Sequence, residues 1–385
     1  MHYGKAMSLA RSLDSPERLL ALSLPLIATA NMLGFWRDSH AHILSALKLL
    51  PRGGAQSWSD AASIGATLTR MDLQSMTFSD SASPYPFDTR FALSDPREGE
   101  LQPGGQRQTY SQASSMLFVL IRQIIFHTQA VEDHAISRIT FMKAHARLET
   151  NLALLEQQMA DLEARPTKEK HECASISVRI YHTWLRLMMR IPPFSPQTAN
   201  DENLAYFERI VVLCKVFLDR QSPVQDLQLS LEPALIVPLF ETAKRCRHPR
   251  LRRTALNLLK GMNRQEGMWR SDGAASAVEI LIAKEESIAM DELADLLATS
   301  HISDHLEEAA LAVPWSAWSS SEFELPTTYT WEGVAKVPEE ERVLEMLVLS
   351  RFDDQKIDLR LLMCSGDERK AFGDTKEYVI DYTRR

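Results

Sequence analysis

Between Pro238 and Trp269 the chain reads PLFETAKRCRHPRLRRTALNLLKGMNRQEGMW, and its punctuation sets the pattern for much of the molecule. Helices are expected at about 233–246 and 249–261, with a sharp corner between them, because a proline at 249 disfavours helical geometry at His248. Six basic residues, Lys244, Arg245, Arg247, Arg250, Arg252 and Arg253, crowd that corner with no acidic residue among them. Guanidinium forks bind phosphate and carboxylate oxygens bidentately, so Arg245, Arg247, Arg252 and Arg253 are candidates for anion contact. The competing reading is structural: Glu266, Glu285 and Glu286 are available to pair with these arginines and fix the corner. The structural reading is the expectation.

Upstream of the corner the period is helical almost throughout. Ser15 is placed to cap a helix that tolerates Pro16 in its first turn and stops at Gly34. Residues 42–50 put Ile43, Leu44, Leu47 and Leu50 on one face, and 58–76 carries Ile64, Leu68, Met71 and Met76. From Thr77 to Gln108 the stripe disappears among Pro84, Pro86, Pro96, Pro103, Gly99, Gly104 and Gly105, which marks 77–108 as a long loop or insertion. Helical period returns over 110–131 and 132–164, where Leu148, Leu152, Leu155, Met159 and Leu162 fit a packed helical hairpin. Further helices are expected at about 170–190, 202–220 and 272–299.

Near the end the period changes to two. Ile357, Leu359, Leu361 and Met363 alternate along one strand, Ser365 to Asp367 supplies a turn, and Glu377 to Tyr382 is rich in β-formers, so 355–385 is expected to hold a small β-hairpin. The fold class expected is therefore all-α, packed helical hairpins in one large domain over 1–385, with a C-terminal hairpin.

Hydrophobic residues form 45% of the 385 and charged residues 24%, which excludes a disordered or collagen-like chain. A net charge of −8 is opposite to the basic footprint of an autonomous DNA binder. Cys173, Cys214, Cys246 and Cys364 contain no CxxC pair, so neither structural zinc nor a disulfide framework is indicated. The apolar run Leu19 to Leu33 contains Pro25 and Asn31 and is too short to span a bilayer, and no membrane partner is expected.

Standard catalytic signatures are missing: there is no GxGxxG, GxxxxGK[ST] or GxSxG. Asp353 and Asp354 begin a DDxxD pattern that fails at Ile357. His301 and His305 share a helix face, with Asp304 or Glu308 as a further oxygen donor, but lack the glutamate of HExxH and read as a solvated face. His40 and His42 diverge on a helix. No metal and no cofactor are expected.

The order Pro238-Leu239-Phe240, Cys246-Arg247, Pro249, Arg252-Arg253, Ala255, Leu258-Leu259, Arg264, Glu266-Gly267 and Trp269 resembles the regulatory region of fungal six-cysteine zinc-cluster transcription factors. Arg70 to Phe78 (RMDLQSMTF), Glu285-Glu286, Pro338-Glu339 and Arg342 follow in the order that family shows, and His2-Tyr3 with Lys5-Ala6 looks like an early family helix. The likeness thus covers most of the chain. The family's DNA-reading module of six cysteines is not present, and His248 stands where the family more often carries an acidic residue.

Two functions are carried forward. The resemblance implies a helical transcription regulator without its own DNA-binding module, nuclear or cytoplasmic, acting through a protein partner or a small hydrophobic ligand, with secondary metabolism as its setting. The alternative is an enzyme, a cofactor-independent cyclase or pericyclase that holds a polyketide or terpenoid in a reactive conformer. Trp269, Trp315, Trp318, Tyr329 and Trp331 are the residues that would line its cavity.

Overall fold

Helix α1 (Pro16–Leu33) begins where the Ser15 hydroxyl accepts from the Arg18 amide and ends at Gly34, whose φ of 73° suits a residue without a Cβ. Helix α2 (Trp36–Leu49) turns back on it, starting six residues earlier than the 42–50 stripe suggests. Helix α3 (Ala61–Thr77) closes this first group around Leu20, Ile27, Ile43, Leu47, Leu68 and Met71. The computed structural model describes residues 15–50, 61–78, 80–81, 83–87, 109–165, 172–221, 226–300, 306–320, 322–351, 356–365 and 374–381, with 4, 5, 7, 8 and 13 ahead of them.

Helix α4 (Tyr110–Glu132) opens on a capping box in which Thr109 and Gln112 satisfy each other's backbone amides. It is long and apolar enough to cross a membrane by length and composition, and 56% of its most apolar window is buried inside the fold. Helix α5 (Arg138–Glu163) lies back along it, capped by Ser137, and α6 (Glu172–Arg190) and α7 (Leu204–Asp219) follow. These helices contribute Phe118, Tyr181, Phe207 and Leu213 to the largest apolar cluster among the described residues, which continues through the later helices and the C-terminal strands.

The motif stretch folds as α8 (Ile236–Arg245) and α9 (Pro249–Gly261), with Cys246 to His248 between them. The single helix expected over 272–299 is two, α10 (Ser271–Glu285) and α11 (Met290–Ala298). Ser287 takes a positive φ of 52° between them. No glycine or proline marks that break, so the periodicity ran straight through it. A short α12 (Leu306–Ala312) follows.

Two small sheets complete a mainly helical molecule. Strands β1 (Gln228–Ser230), β2 (Arg264–Glu266) and β3 (Trp269–Arg270) form one, with β1 parallel to β2 and β3 antiparallel to it. The β2–β3 turn needs Gly267, whose φ is 56° and where a Cβ would collide with the Gln74 side chain. The second sheet is an antiparallel meander of β4 (Val343–Arg351), β5 (Lys356–Met363) and β6 (Thr375–Asp381). The expected hairpin corresponds to β5 and β6. Strand β4 adds the third, because the run VLEMLVLS carries no alternation to announce it. Ile357, Leu359, Leu361 and Met363 are all buried, as alternation requires.

Candidate functional site

The arginine corner is folded inward. Arg247 and Arg252 are buried and share one buried carboxylate: Arg247 Nη2 lies 3.0 Å from Glu285 Oε1, and Arg252 Nη2 lies 2.7 Å from Oε2. Glu285 Oε1 also accepts from the Val343 amide at 2.8 Å, which ties the corner to the first residue of β4. Burial pushes this carboxyl up, but Arg252 and Arg247 outweigh it and hold the group below its ordinary value. One step outward Arg253 pairs with Glu286. Arg342, fully buried, forms a bidentate pair with Asp201 at 2.9 and 2.7 Å, and Glu339 accepts from the Gln197 and Thr198 amides. Arg245 stands apart, about two-fifths exposed, on Glu241 one helical turn away.

The other motif residues meet at the neighbouring turn. The Glu266 carboxylate accepts from the amides of Ala234, Leu235 and Ile236, capping α8, and from Arg264 Nε at 2.7 Å. Trp269 donates its indole N–H to the Gln74 carbonyl and the Thr77 hydroxyl and packs on Phe78 and Phe240. Arg70, four residues before Gln74, reaches Glu232 with Nη1 at 3.1 and 2.9 Å.

The five aromatic residues expected to share a cavity fall into three separate places. Trp269 sits in the cluster just described. Trp315 and Trp318 stand edge-on against His182, at 4.7 and 4.8 Å between ring centroids. Tyr329 and Trp331 flank His248 at 4.9 and 5.4 Å. His182 Nε2 lies 2.6 Å from Glu156 Oε1, both side chains being buried, and Arg186 binds the same carboxylate through Nε at 2.7 Å and through Nη2. A hollow of about 390 Å³ between α9 and α11, lined by Asn257, Lys260, Ala294, Leu297 and Ala298, contains none of the five.

A buried polar cluster escaped the sequence reading. Asp72 on α3 accepts from Tyr85 Oη at 2.7 Å and from Arg122 Nε, on α4, at 2.5 Å, and all three are at least nine-tenths buried. The His40 ring packs edge-on against Tyr85 at 5.6 Å, and its Nε2 is buried with no hydrogen-bond partner among the described residues. Burial lowers the pKa of His40 to about 4 against the opposing pull of Asp72 and Asp80, so the ring is neutral. Asp72 lies inside the stretch Arg70 to Phe78; a lone acid among apolar helical positions was the available signal.

Among the described residues no three His, Cys, Asp or Glu side chains converge to hold a metal ion. His301, Asp304, His305, Asp353 and Asp354 lie outside them, as do His2, Tyr3, Ala6 and residues 88–108 of the expected loop. The chain matches no family model, and no curated protein and no solved structure matches it significantly.

Proposed function

We propose that this chain is one large helical regulatory domain of the zinc-cluster-factor type, which acts on transcription through a protein partner or by sensing a small hydrophobic molecule and does not itself read DNA. The observation that supports this reading most is physical convergence. Motif residues far apart in sequence are direct partners: Arg247 and Arg252 with Glu285, Arg253 with Glu286, and Trp269 with Gln74 and Phe78. A chance likeness of scattered short motifs has no reason to make residues of different motifs direct partners in two clusters. Burial of Arg247 and Arg252 also takes two of the six basic residues of that stretch out of reach of a nucleic-acid backbone, and phosphate contacts supply most non-specific DNA affinity.

A cavity catalyst receives less support, because its five aromatic candidates pack in three places around two histidines and a sheet turn. Transcript and metabolite profiling of one deletion strain separates the two. The regulatory reading expects altered transcripts of a gene set. Unchanged transcripts, with one accumulated metabolite that the purified protein converts unaided, overturn it.

A further inference from the structure

The charge of the chain is unevenly spread. Residues 285–335 hold eleven acidic side chains and no lysine or arginine, so that stretch alone carries −11 against −8 for the whole chain, and the rest is +3. Part of this charge is answered inside the fold: Glu285 and Glu286 meet the corner arginines, and Glu307 meets Lys215 at 2.8 Å. Helix α11, MDELADLLA, presents Asp291, Glu292 and Asp295 at its exposed positions and has no base of its own. Acids in a first turn suit a helix N-terminus, which accounts for Asp291 and Glu292 but not for Asp295 in the second turn.

The same helix forms one wall of the hollow between α9 and α11. Ala294, Leu297 and Ala298 stand at i, i+3 and i+4 on one face, and Met290, 45% exposed, extends that face by a turn. Asp291 and Asp295 border it on the side away from the buried Leu293. The opposite wall supplies Asn257 and Lys260, which are already engaged. Asn257 Nδ2 donates to the Leu297 and Ser300 carbonyls at 2.7 and 3.1 Å, and Lys260 meets Glu279 at 2.6 Å. At about 390 Å³ and open to solvent, the hollow seats side chains and does not enclose a small molecule.

We propose that the α9–α11 hollow docks a basic amphipathic helix of a protein partner, with apolar anchors on Met290, Ala294, Leu297 and Ala298 and lysines or arginines facing Asp291 and Asp295. A groove between two helices is a shape that takes a third by anchors at i, i+3, i+4 and i+7. Charge selects the occupant: an acidic segment, a nucleic-acid backbone or the α11 face of a second copy meets like charge at this rim, whereas a basic segment is steered to it. The assignment rests on the partner arm of the regulatory reading and gives that partner a chemistry. It is decided on purified components, whereas the regulatory reading is decided on transcripts, so each can fail alone.

The probe is a synthetic peptide of leucine and lysine, about 18 residues long, with leucines at i, i+3, i+4 and i+7, read by fluorescence anisotropy against the full-length protein. One control peptide replaces every lysine by glutamate, and a second scrambles the order so that no apolar face forms. Saturable binding of the lysine peptide is expected, weaker in high salt, roughly tenfold weaker for the scrambled peptide and absent for the glutamate peptide. Ala294→Arg, at an exposed helical position, fills the hollow with a cation and abolishes binding. Asp295→Lys, beyond the first turn, weakens it roughly tenfold. Glu149→Lys, the same change of charge on the exposed side of α5, leaves it within about twofold. No saturable binding of the lysine peptide, equal binding of the glutamate peptide, or equal loss in Asp295→Lys and Glu149→Lys overturns the surface. A dimer in sedimentation that Ala294→Arg dissociates gives the hollow to a second copy and overturns it too. If Ala294→Arg does not fold, Asp295→Lys against Glu149→Lys, at unchanged melting temperatures, carries the same decision.

Discussion

The corner after α8 and the tryptophan cluster beside α7 both bury arginines, but they differ in how those arginines are paired. At the corner and the adjoining Arg342, each of four guanidinium groups meets a carboxylate: Arg247 and Arg252 share Glu285, Arg253 takes Glu286 and Arg342 takes Asp201. At the cluster, Arg179 and Arg186 take Glu163 and Glu156, and Arg209 has no carboxylate partner among the described residues. The fully paired set cross-links α8, α9, α10 and β4, and its geometry is fixed by the pairing. The other set keeps one guanidinium without a countercharge. Buried arginine is thus a lock in one region and an electrostatic deficit in the other, and the same substitution should have opposite signs in the two.

The largest effect is expected at the lock. Glu285→Gln leaves Arg247 and Arg252 buried without their shared charge, and Arg252→Met leaves Glu285 with one partner fewer. Breaking one side of a buried pair costs roughly 3 to 5 kcal/mol. Urea unfolding of both variants measures it. A loss under about 1 kcal/mol in either would place the corner with ordinary surface pairs and dissolve the contrast.

A third region buries a titratable group by keeping it neutral, and pH exposes the difference. Folded His40 remains neutral down to about pH 4, whereas the unfolded chain protonates it near 6.5. Its penalty is therefore absent above 6.5, grows as pH falls towards 4 and is constant below that, on the order of 3 kcal/mol in full. In His40→Gln the fall in stability between pH 6.5 and 4 should be shallower than in the wild type. Parallel curves would mean that the ring gains a proton in the fold as easily as in the unfolded chain.

The contrast also fixes a sign at the cluster. Arg209→Met should raise stability by about 1 to 2 kcal/mol, since replacing buried charge by an apolar side chain of similar volume is often stabilising. Melting curves of Arg209→Met and Arg252→Met, run together, give the comparison its sharpest form. Destabilisation of both by similar amounts would show that Arg209 has a partner as effective as Glu285.

These regions were unequally legible in the sequence. The helical period, the Ser15 and Gly34 boundaries of α1 and the alternation of β5 are local signals, written in neighbouring residues. The corner was legible too, because proline and a run of arginines stand out, and Glu285 and Glu286 were named among its possible partners. What could not be read was which tryptophan meets which histidine, since His182 and Trp315 are 133 positions apart and nothing local joins them. Likewise His40 and Asp72 look like ordinary polar residues until α2 and α3 pack. Strand β4 and the α10–α11 break failed for a different reason: an unbroken apolar run fits helix and strand alike, and a serine at positive φ leaves no mark on a hydrophobic pattern.

The smallest effect tests the boundary of the lock. Arg245 belongs to the same basic run as Arg247 and Arg252, but its side chain is 42% exposed and its partner Glu241 lies on the same helix, at 2.6 Å. An exposed pair of this spacing, with the acid N-terminal to the base, contributes about 0 to 1 kcal/mol and weakens with salt. Burial pushes the Glu241 carboxyl up, but Lys244 and Arg245 outweigh it and bring its pKa down to about 2. A depressed carboxylate contributes above its unfolded value near 4.5, and the contribution is lost as pH falls towards 2. The difference in stability between Arg245→Ala and the wild type should therefore be small at pH 7, smaller in high salt, and vanish on acidification through that window. A difference that persists at high salt would move Arg245 into the buried network. The lock would then include the residue that opens the corner and would extend into the last turn of α8.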